Sequence, residues 1–273
     1  MPICDWSWIA ILFQVTHQKV RYFQFAAFAR HPGVTHAVGC RLDGLSQYPF
    51  DSMNVSQGVG DDSSAVAVNR LRWLRATGGG VHVYIRQRHG TAIQVLKKNG
   101  RHALETIHTV NSPADALISN IPGVRLLIQT ADCQAVLLFD PETRVVANVH
   151  CGWRGSAANI IGRVVERMKN EFGCHPAGML AAIAPSLGPC CAEFIHYRNE
   201  LPEQFWSYRV GENHFDFWEI SRNQLVCAGL QTDRVHVASI CSRCNPHLFF
   251  SYRAEPRTGR FSSFIALTQM DEK

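Results

Sequence analysis

Several patterns that would assign a function at once are missing from the 273-residue sequence. No two of its 13 histidines are separated by one residue, so the His-x-His pairs of cupredoxin-type multicopper oxidases are absent. The sequence also has no His-x-Glu of the nucleobase zinc deaminases and no Gly-x-Ser-x-Gly elbow. It has no Walker A loop, no Gly-x-Gly-x-x-Gly loop and no internal repeat. The commonest nucleotide-binding and serine-hydrolase signatures are therefore excluded.

The sequence contains no convincing targeting or membrane segment. The apolar run at 6–15 follows Asp5 instead of a basic region, and it is too short to span a bilayer. We interpret this run as a buried strand or a frayed terminus. Ten cysteines at irregular spacing in so long a chain favour reduced thiols over a disulfide framework, which predicts a cytoplasmic protein.

The charge of the chain is modest, with 27 Lys and Arg against 22 Asp and Glu. The basic residues are scattered, which gives a nucleic-acid groove little support and fits small anions such as phosphate. We predict neither nucleic acid nor membrane as a partner. Because no linker or composition break divides the sequence, we predict a single α+β domain. Its bounds of 31–273 follow from the extent of the ordered motifs described below. Residues 1–30 are assigned as an N-terminal extension of uncertain role.

The centre of the sequence consists of three short runs rich in apolar and β-branched residues, at 124–130, 134–140 and 144–149. Such runs, separated by turn residues, are typical of adjacent buried strands. Cys133 lies between the first two runs, and His150 follows the third. Both are expected at strand ends, where a rigid backbone can direct side chains into a pocket.

Three residues could form a reactive centre there. His89, Cys133 and His150 each follow a strand-like run, and strand ends at one sheet edge could bring them together around a metal. The same residues support a metal-free alternative, in which the Cys133 thiolate is a nucleophile and His150 its base. The spacing leaves both interpretations open.

The remaining paired cysteines fit a structural role. Cys241 and Cys244 form a lone Cys-x-x-Cys pair without a second half, so a core or incidental pair is predicted. Cys190 and Cys191 are likewise predicted to be structural.

The clearest helix lies just after the central stretch. Apolar residues recur at helical spacing between Ser156 and Gly173, which are predicted to cap the helix. A helix start beside the proposed site would favour an anion. Further helices are predicted over 65–76 and 217–228, the second capped by Asp216.

Three arginines, Arg41, Arg154 and Arg253, lie in loop-like segments rich in glycine and aromatic residues. A guanidinium can bind phosphate through two parallel hydrogen bonds. On spacing alone, each is a surface charge.

A set of short motifs occurs in a fixed order along the chain. The motifs are Ser52-Met53-Asn54, Gly60-Asp61-Asp62, Arg88-His89-Gly90, Thr130-Ala131-Asp132-Cys133, His150-Cys151-Gly152-Trp153-Arg154-Gly155, Pro185-Ser186-Leu187-Gly188-Pro189-Cys190-Cys191 and Phe249-Phe250-Ser251-Tyr252-Arg253. As an ordered set over about residues 35–267, they resemble the YfiH-type family. That family was long described as polyphenol oxidase or laccase-like and is now understood as purine nucleoside phosphorylases.

The resemblance implies a mixed β-sandwich flanked by helices. It implies a zinc ion bound by His89, Cys133 and His150, with copper as the second choice of metal. It also implies phosphorolysis of adenosine, inosine, guanosine or methylthioadenosine to the free base and a ribose 1-phosphate or methylthioribose 1-phosphate, with adenosine deamination as a secondary activity. The residues expected to bind substrate or phosphate are Arg41, Asn54 and Arg253.

Three functions of other classes remain as alternatives. The first is a metal-independent hydrolase or deamidase that uses Cys133 and His150, and the second is a copper-dependent polyphenol oxidoreductase. The missing His-x-His pairs argue against the second. The third is a non-catalytic binding module.

Overall fold

The computed structural model describes residues 11–97 and 107–269. Its strands are β1 Leu12–His17, β2 Val20–Phe25, β3 Val34–Gly39, β4 Val81–Arg86, β5 Ile93–Leu96, β6 Ile107–Pro113, β7 Ala116–Ser119, β8 Val124–Thr130, β9 Gln134–Asp140, β10 Val145–Cys151, β11 Leu180–Ile183, β12 Arg209–Val210, β13 His214–Phe215, β14 Val235–Val237 and β15 Phe261–Leu267. Its α-helices are α1 Ala26–Ala29, α2 Ser63–Ala76, α3 Trp153–Ala157, α4 Ile160–Phe172, α5 Tyr197–Glu200 and α6 Phe217–Cys227. No helix of these described ranges is both long and apolar enough to cross a membrane.

Two mixed sheets form the body of the protein. The larger has the strand order β1-β2-β3-β15-β8-β4-β6, and the smaller has the order β14-β11-β9-β10-β7-β5. Strand β4 runs parallel to both of its neighbours, whereas β9, β10 and β11 pair in antiparallel fashion. The predicted mixed β-sandwich flanked by helices is confirmed.

The core between the sheets is apolar, with buried side chains contributed by both sheets, among them Leu126, Leu137 and Val146. One polar side chain crosses it. The Nδ2 of fully buried Asn148 on β10 donates to the carbonyl oxygens of Leu126 and Ser263 on the opposite sheet, at 2.8 and 3.0 Å. Because a buried N–H without a partner costs free energy, these contacts help to hold the two sheets together.

Helix α4 covers the outer face of the smaller sheet with a continuous stripe of buried residues. The predicted cap at Ser156 is wrong, since the short helix α3 comes first and Asn159 caps α4 by accepting from the N–H of Gly162. Spacing could not reveal the break, because apolar periodicity marks a helix face but not its first turn. Gly173 does end α4, in a left-handed conformation that glycine adopts readily.

The other two predicted helices are present. Asp216 caps α6 by accepting from the N–H of Glu219 at 3.0 Å. Helix α2 begins two residues earlier than predicted, at Ser63, with Asp62 as its cap. It packs on the outer face of the larger sheet, where Trp73 lies against Tyr22 and Phe264.

The N-terminal segment continues the larger sheet. Strands β1 and β2 form an antiparallel hairpin, and β2 pairs with β3 through Tyr22 and Phe23. The first half of the apolar run at 6–15 lies outside the described residues. Residues 12–15 belong to β1, in which Leu12 is buried and Phe13 and Gln14 are exposed. A domain boundary between residues 30 and 31 stays a prediction.

Candidate active site

The site lies where the chain leaves β4, β8 and β10. The loop after β8 carries Cys133 from the larger sheet to the start of β9 in the smaller one. His150 is the sixth residue of β10, paired with Ala135, and His89 is in the turn that follows β4. Strands of both sheets therefore bring the three predicted residues to one end of the sandwich.

The side chains of His89, Cys133 and His150 converge. One nitrogen of each imidazole and the Sγ of Cys133 all lie within 4.8 Å of one another. The distance from Cys133 Sγ to His89 Nε2 is 3.8 Å, and the two imidazole rings are 4.8 Å apart at an angle of 77°. Two nitrogens and a sulfur in this arrangement are a possible metal-binding group.

Asp115, just before β7, holds two of these residues in place. Its Oδ1 accepts from His150 Nδ1 at 2.8 Å, so the other ring nitrogen, Nε2, remains for the site. The same carboxylate accepts from the backbone N–H groups of Arg88, His89 and Gly90, at 3.0, 2.8 and 2.8 Å. One buried acid therefore orients an imidazole and shapes the turn that carries the other.

Two residues at the site have left-handed backbone conformations. The φ angle is +59° at His89 and +92° at Asp132, the residue before Cys133. Both are stabilised by hydrogen bonds. The N–H of His89 donates to the Asp115 carboxylate, and the Asp132 carboxylate accepts from Ser242 Oγ and from the N–H of Arg253, each at 2.6 Å. Such conformations cost free energy and persist where surrounding contacts enforce them.

Gly152 leaves the space between the ligands open. A Cβ at this position would lie 2.9 Å from His89 Cδ2 and 3.0 Å from Cys133 Sγ. Its φ of −82° is accessible to any residue, so the requirement for glycine here is one of space.

The electrostatics of the group favour a charged pair when no metal is bound. Burial acts to raise the pKa of Cys133, but His150 and His89 outweigh it and lower that pKa to about 6. Burial acts to lower the pKa of His150, but the charge of Cys133 and the bond to Asp115 raise it to about 9. A thiolate beside an imidazolium follows at neutral pH.

A cavity of about 940 Å³ opens over the three residues. Its walls include the aromatic side chains of Trp153, Phe194, Phe217 and Tyr252, and the guanidinium-bearing residues Arg86, Arg88, Arg154, Arg253 and Arg260. A large cavity with apolar walls and several cations fits a small molecule that has an aromatic part and an anionic part.

Two of the predicted substrate-binding residues, Arg253 and Arg41, lie at different cavities. Arg253 lines the cavity, where its guanidinium donates to the carbonyl oxygen of Glu193 at 3.0 Å and lies 5.9 Å from the Phe194 ring. Arg41 lines a second, smaller cavity instead. Its guanidinium donates to the carbonyl oxygens of Asp51 and Pro246 and pairs with the Asp51 carboxylate.

Asn54 is fully buried and acts on the cavity through its neighbours. Its Oδ1 accepts from the backbone N–H groups of Ser56 and Arg260, at 3.0 and 2.9 Å. Ser56 and Arg260 line the cavity, whereas Asn54 does not.

Sequence reasoning missed two residues of the site, Asp115 and Arg260. Asp115 interrupts an apolar strand-like run, and an acid in such a run is a signal that was available. Burial lowers the pKa of the Arg260 guanidinium. The charges of nearby Cys133 and Asp132 act in the opposite direction and favour its protonated form. Cys151 is not one of the three converging residues, and its thiol lies in the apolar cluster beneath α4, where burial raises its pKa to about 12.

Fold and site together define a helix-flanked β-sandwich protein with a His-Cys-His cluster beneath an arginine-lined cavity. The chain belongs to the family described as multi-copper polyphenol oxidoreductase laccase, which matches residues 35–268. This confirms the resemblance found in the motifs.

Relatives of known name are similar over most of their length. The chain is 33% identical to the purine nucleoside phosphorylase YlmD of Geobacillus stearothermophilus over 247 residues, covering 85% of this chain and 90% of that protein. It is 31% identical to the purine nucleoside phosphorylase YfiH of Escherichia coli, covering 86% and 94%. The crystal structure of YlmD from G. stearothermophilus superposes with a TM-score of 0.79 at 28% identity, covering 94% of this chain and all of that one.

Proposed function

We propose that this protein is a zinc-dependent purine nucleoside phosphorylase. Its substrates would be phosphate and adenosine, inosine, guanosine or methylthioadenosine. The observation that carries the proposal is the convergence of His89, Cys133 and His150 at an arginine-lined cavity. The names of relatives that match most of the chain support it.

The residues present fit a zinc ion. Two imidazoles and one thiolate are ligands that zinc prefers, and three protein ligands leave a fourth position for water or substrate. Asp115 orients His150 as an acidic partner orients a metal-bound histidine, and Gly152 leaves the space between the ligands open. When bound, zinc supplies Lewis acidity for the negative charge that develops on a departing purine.

The arginines and aromatic side chains have separate tasks in this proposal. Arg253 binds phosphate at the cavity, with its guanidinium held by Glu193, and Arg260 adds positive charge near Cys133. The purine lies against the aromatic wall that includes Phe194 and Tyr252. An oxygen of phosphate forms a bond to ribose C1′ while the C1′–N9 bond breaks, and the electron pair of that bond goes to the purine.

The test is the release of free base from adenosine and inosine, followed by chromatography with and without phosphate. The wild-type protein should release base only when phosphate is present. Cys133→Ala should abolish release and remove about one zinc per chain, because three-ligand zinc sites depend on each ligand. Cys227→Ala, at an exposed cysteine outside the site, is the matched control and should retain both. Retention of both by Cys133→Ala would contradict the proposal.

Adenosine deamination is proposed as a secondary activity of the same site. Conversion of adenosine to inosine without phosphate, measured as ammonia release, should also be lost in Cys133→Ala. Deamination that survives this substitution would have to come from another site.

The Cys133–His150 ion pair supports one alternative function, that of a metal-independent cysteine hydrolase. Chelation separates the two. A phosphorylase of the proposed kind should lose activity on chelation and regain it with zinc, whereas the hydrolase should keep full activity and lose it on alkylation of Cys133.

Alkylation of the metal-free protein by iodoacetamide also tests the ion pair. Thiolate is the reacting species, so the rate at Cys133 should rise with pH through a midpoint near 6. Added zinc should protect the thiol. A midpoint near that of an ordinary cysteine would show that the pair does not form.

A further inference from the structure

Four cysteines that the proposed reaction does not use lie together where the loop after β11 meets the segment after β14. Cys190 and Cys191 come from that loop, and Cys241 and Cys244 come from the segment after β14. Their four Sγ atoms all lie within 4.8 Å of one another. Cys244 Sγ is 3.5 Å from the Sγ atoms of both Cys190 and Cys191.

These distances match a single tetrahedral ion. Zinc–sulfur bonds of about 2.3 Å in a tetrahedron place neighbouring sulfur atoms about 3.8 Å apart. The cysteine ligands of an iron–sulfur cluster are distributed over two or more iron atoms and are therefore spread more widely. All four residues are free thiols in the structure.

The surroundings suit thiolate ligands. The backbone N–H of Gly188 donates to Cys241 Sγ at 3.3 Å, a hydrogen bond that stabilises negative charge on sulfur. Cys191 and Cys241 are buried, while Cys190 and Cys244 are exposed. The site therefore has an inner side fixed by the fold and an outer side through which an ion can enter.

The two cysteine segments also form part of the active site. Ser186 and Cys241 form a β-bridge, and the N–H of Ser242 donates to the carbonyl oxygen of Ser186. Ser242 Oγ in turn donates to the carboxylate of Asp132, the residue before Cys133. Leu187, just before the first cysteines, lines the cavity.

We propose that Cys190, Cys191, Cys241 and Cys244 bind a structural zinc ion, separate from the ion proposed at His89, Cys133 and His150. This ion joins the two segments and so fixes the position of Asp132 and one wall of the cavity. Four thiolates close the coordination sphere, as in structural zinc sites, and leave no position for substrate. The site does not depend on the proposed phosphorylase activity.

Metal content tests the proposal. After loading with zinc and removal of loosely bound metal, the wild-type protein should contain about two ions per chain. One would be bound by the four cysteines and the other by His89, Cys133 and His150. The double variant His89→Ala/Cys133→Ala should retain about one, and Cys241→Ser/Cys244→Ser about one. The control Cys227→Ser should match the wild type.

The two proposals fail in different ways. If only the active-site ion is absent, wild type and His89→Ala/Cys133→Ala both contain one ion, and Cys241→Ser/Cys244→Ser contains none. If the four-cysteine site is absent, His89→Ala/Cys133→Ala contains none, which overturns the inference drawn here.

Cobalt keeps the test decisive if Cys241→Ser/Cys244→Ser fails to fold. His89→Ala/Cys133→Ala loaded with Co²⁺ in place of zinc should show the strong near-ultraviolet sulfur-to-cobalt band and the visible bands of a tetrahedral four-thiolate site. Absence of these bands would overturn the proposal.

Discussion

The carboxylate of Asp115 accepts a hydrogen bond from His150 Nδ1 at 2.8 Å and, through the same Oδ1 atom, from the backbone N–H of His89 at 2.8 Å. Two of the three candidate ligands are thus positioned by one buried acid. The third, Cys133, follows Asp132, which is itself held by Ser242 and Arg253. The geometry of the site is determined by these acids as much as by the ligands.

Asp115→Asn keeps the size of the side chain and removes its charge. An amide can still accept from one N–H but offers a poorer partner to His150 and to the turn at 88–90. Zinc affinity should fall roughly 10- to 100-fold, as it does when such acidic partners are removed. Competition with a chelator of known affinity measures this, with exposed Asp233→Asn as control. Equal affinities for the two variants would show that Asp115 does not orient the ligands.

Gly152→Ala should disturb the ligands by volume alone. The added methyl group would lie within about 3 Å of His89 and Cys133, where ordinary carbon contacts are about 3.5–4.0 Å. Metal content and base release should both fall while the protein remains folded by circular dichroism. Gly178→Ala places a methyl in open space and should behave as wild type. If Gly152→Ala retains its metal and activity, the space around His89 and Cys133 is larger than the structure shows.

Arg253 and Arg41 should differ in kinetics. Arg253→Ala should raise the KM for phosphate at least tenfold, because a charge-assisted pair contributes about 1.5–3 kcal/mol. Arg41 lies at another cavity with its guanidinium already hydrogen-bonded, so Arg41→Ala should lower stability and leave the KM for phosphate unchanged. Initial rates over a phosphate series decide between them. A raised KM in Arg41→Ala alone would reverse the assignment and restore the role that the sequence resemblance implied.

Stability should fall in acid because two buried histidines are held neutral. Burial lowers the pKa of His82 and of His36 to about 3, against 6.5 for an exposed histidine. Between these values the unfolded chain binds protons that the folded one does not. The free energy of unfolding should therefore decrease by about 1.4 kcal/mol per histidine for each pH unit between 6.5 and 3.

His82→Leu tests this dependence, since neither ring nitrogen of His82 has a hydrogen-bond partner among residues 11–97 and 107–269. The variant should be about as stable as wild type at pH 7. On acidification its free energy of unfolding should decrease less steeply than that of wild type, by the contribution of one bound proton. Urea unfolding at several pH values measures the slope. Exposed His196→Leu serves as the matched control for the substitution. An equal slope in His82→Leu would mean that His82 is protonated in the folded protein.

The sequence could predict what depends on local pattern. The central strands and α4 have strong apolar periodicity, and Cys133 and His150 follow from their positions at strand ends. Partners chosen in three dimensions could not be predicted in this way. Asp115 binds backbone amides that sequence does not mark. Arg41 is distinguished from Arg253 by the cavity at which tertiary packing places each of them.

The four-cysteine cluster shows the same limit most clearly. In the sequence Cys241 and Cys244 form a lone pair, because Cys190 and Cys191 precede them by about fifty residues. The parallel pairing of β11 with β14 is what brings the two segments together. Cysteine spacing alone therefore fails to reveal a metal site when its two pairs of cysteines follow neighbouring strands that are far apart in the sequence.

The turn at 88–90 has a consequence for how the site opens. Its three successive amides all donate to one carboxylate, so none can break its bond without weakening the arrangement of the others. Amide hydrogen exchange should therefore report this turn as one cooperative unit, with similar protection at Arg88, His89 and Gly90. Loss of that shared protection would register disassembly of the site while the surrounding sheets were still intact.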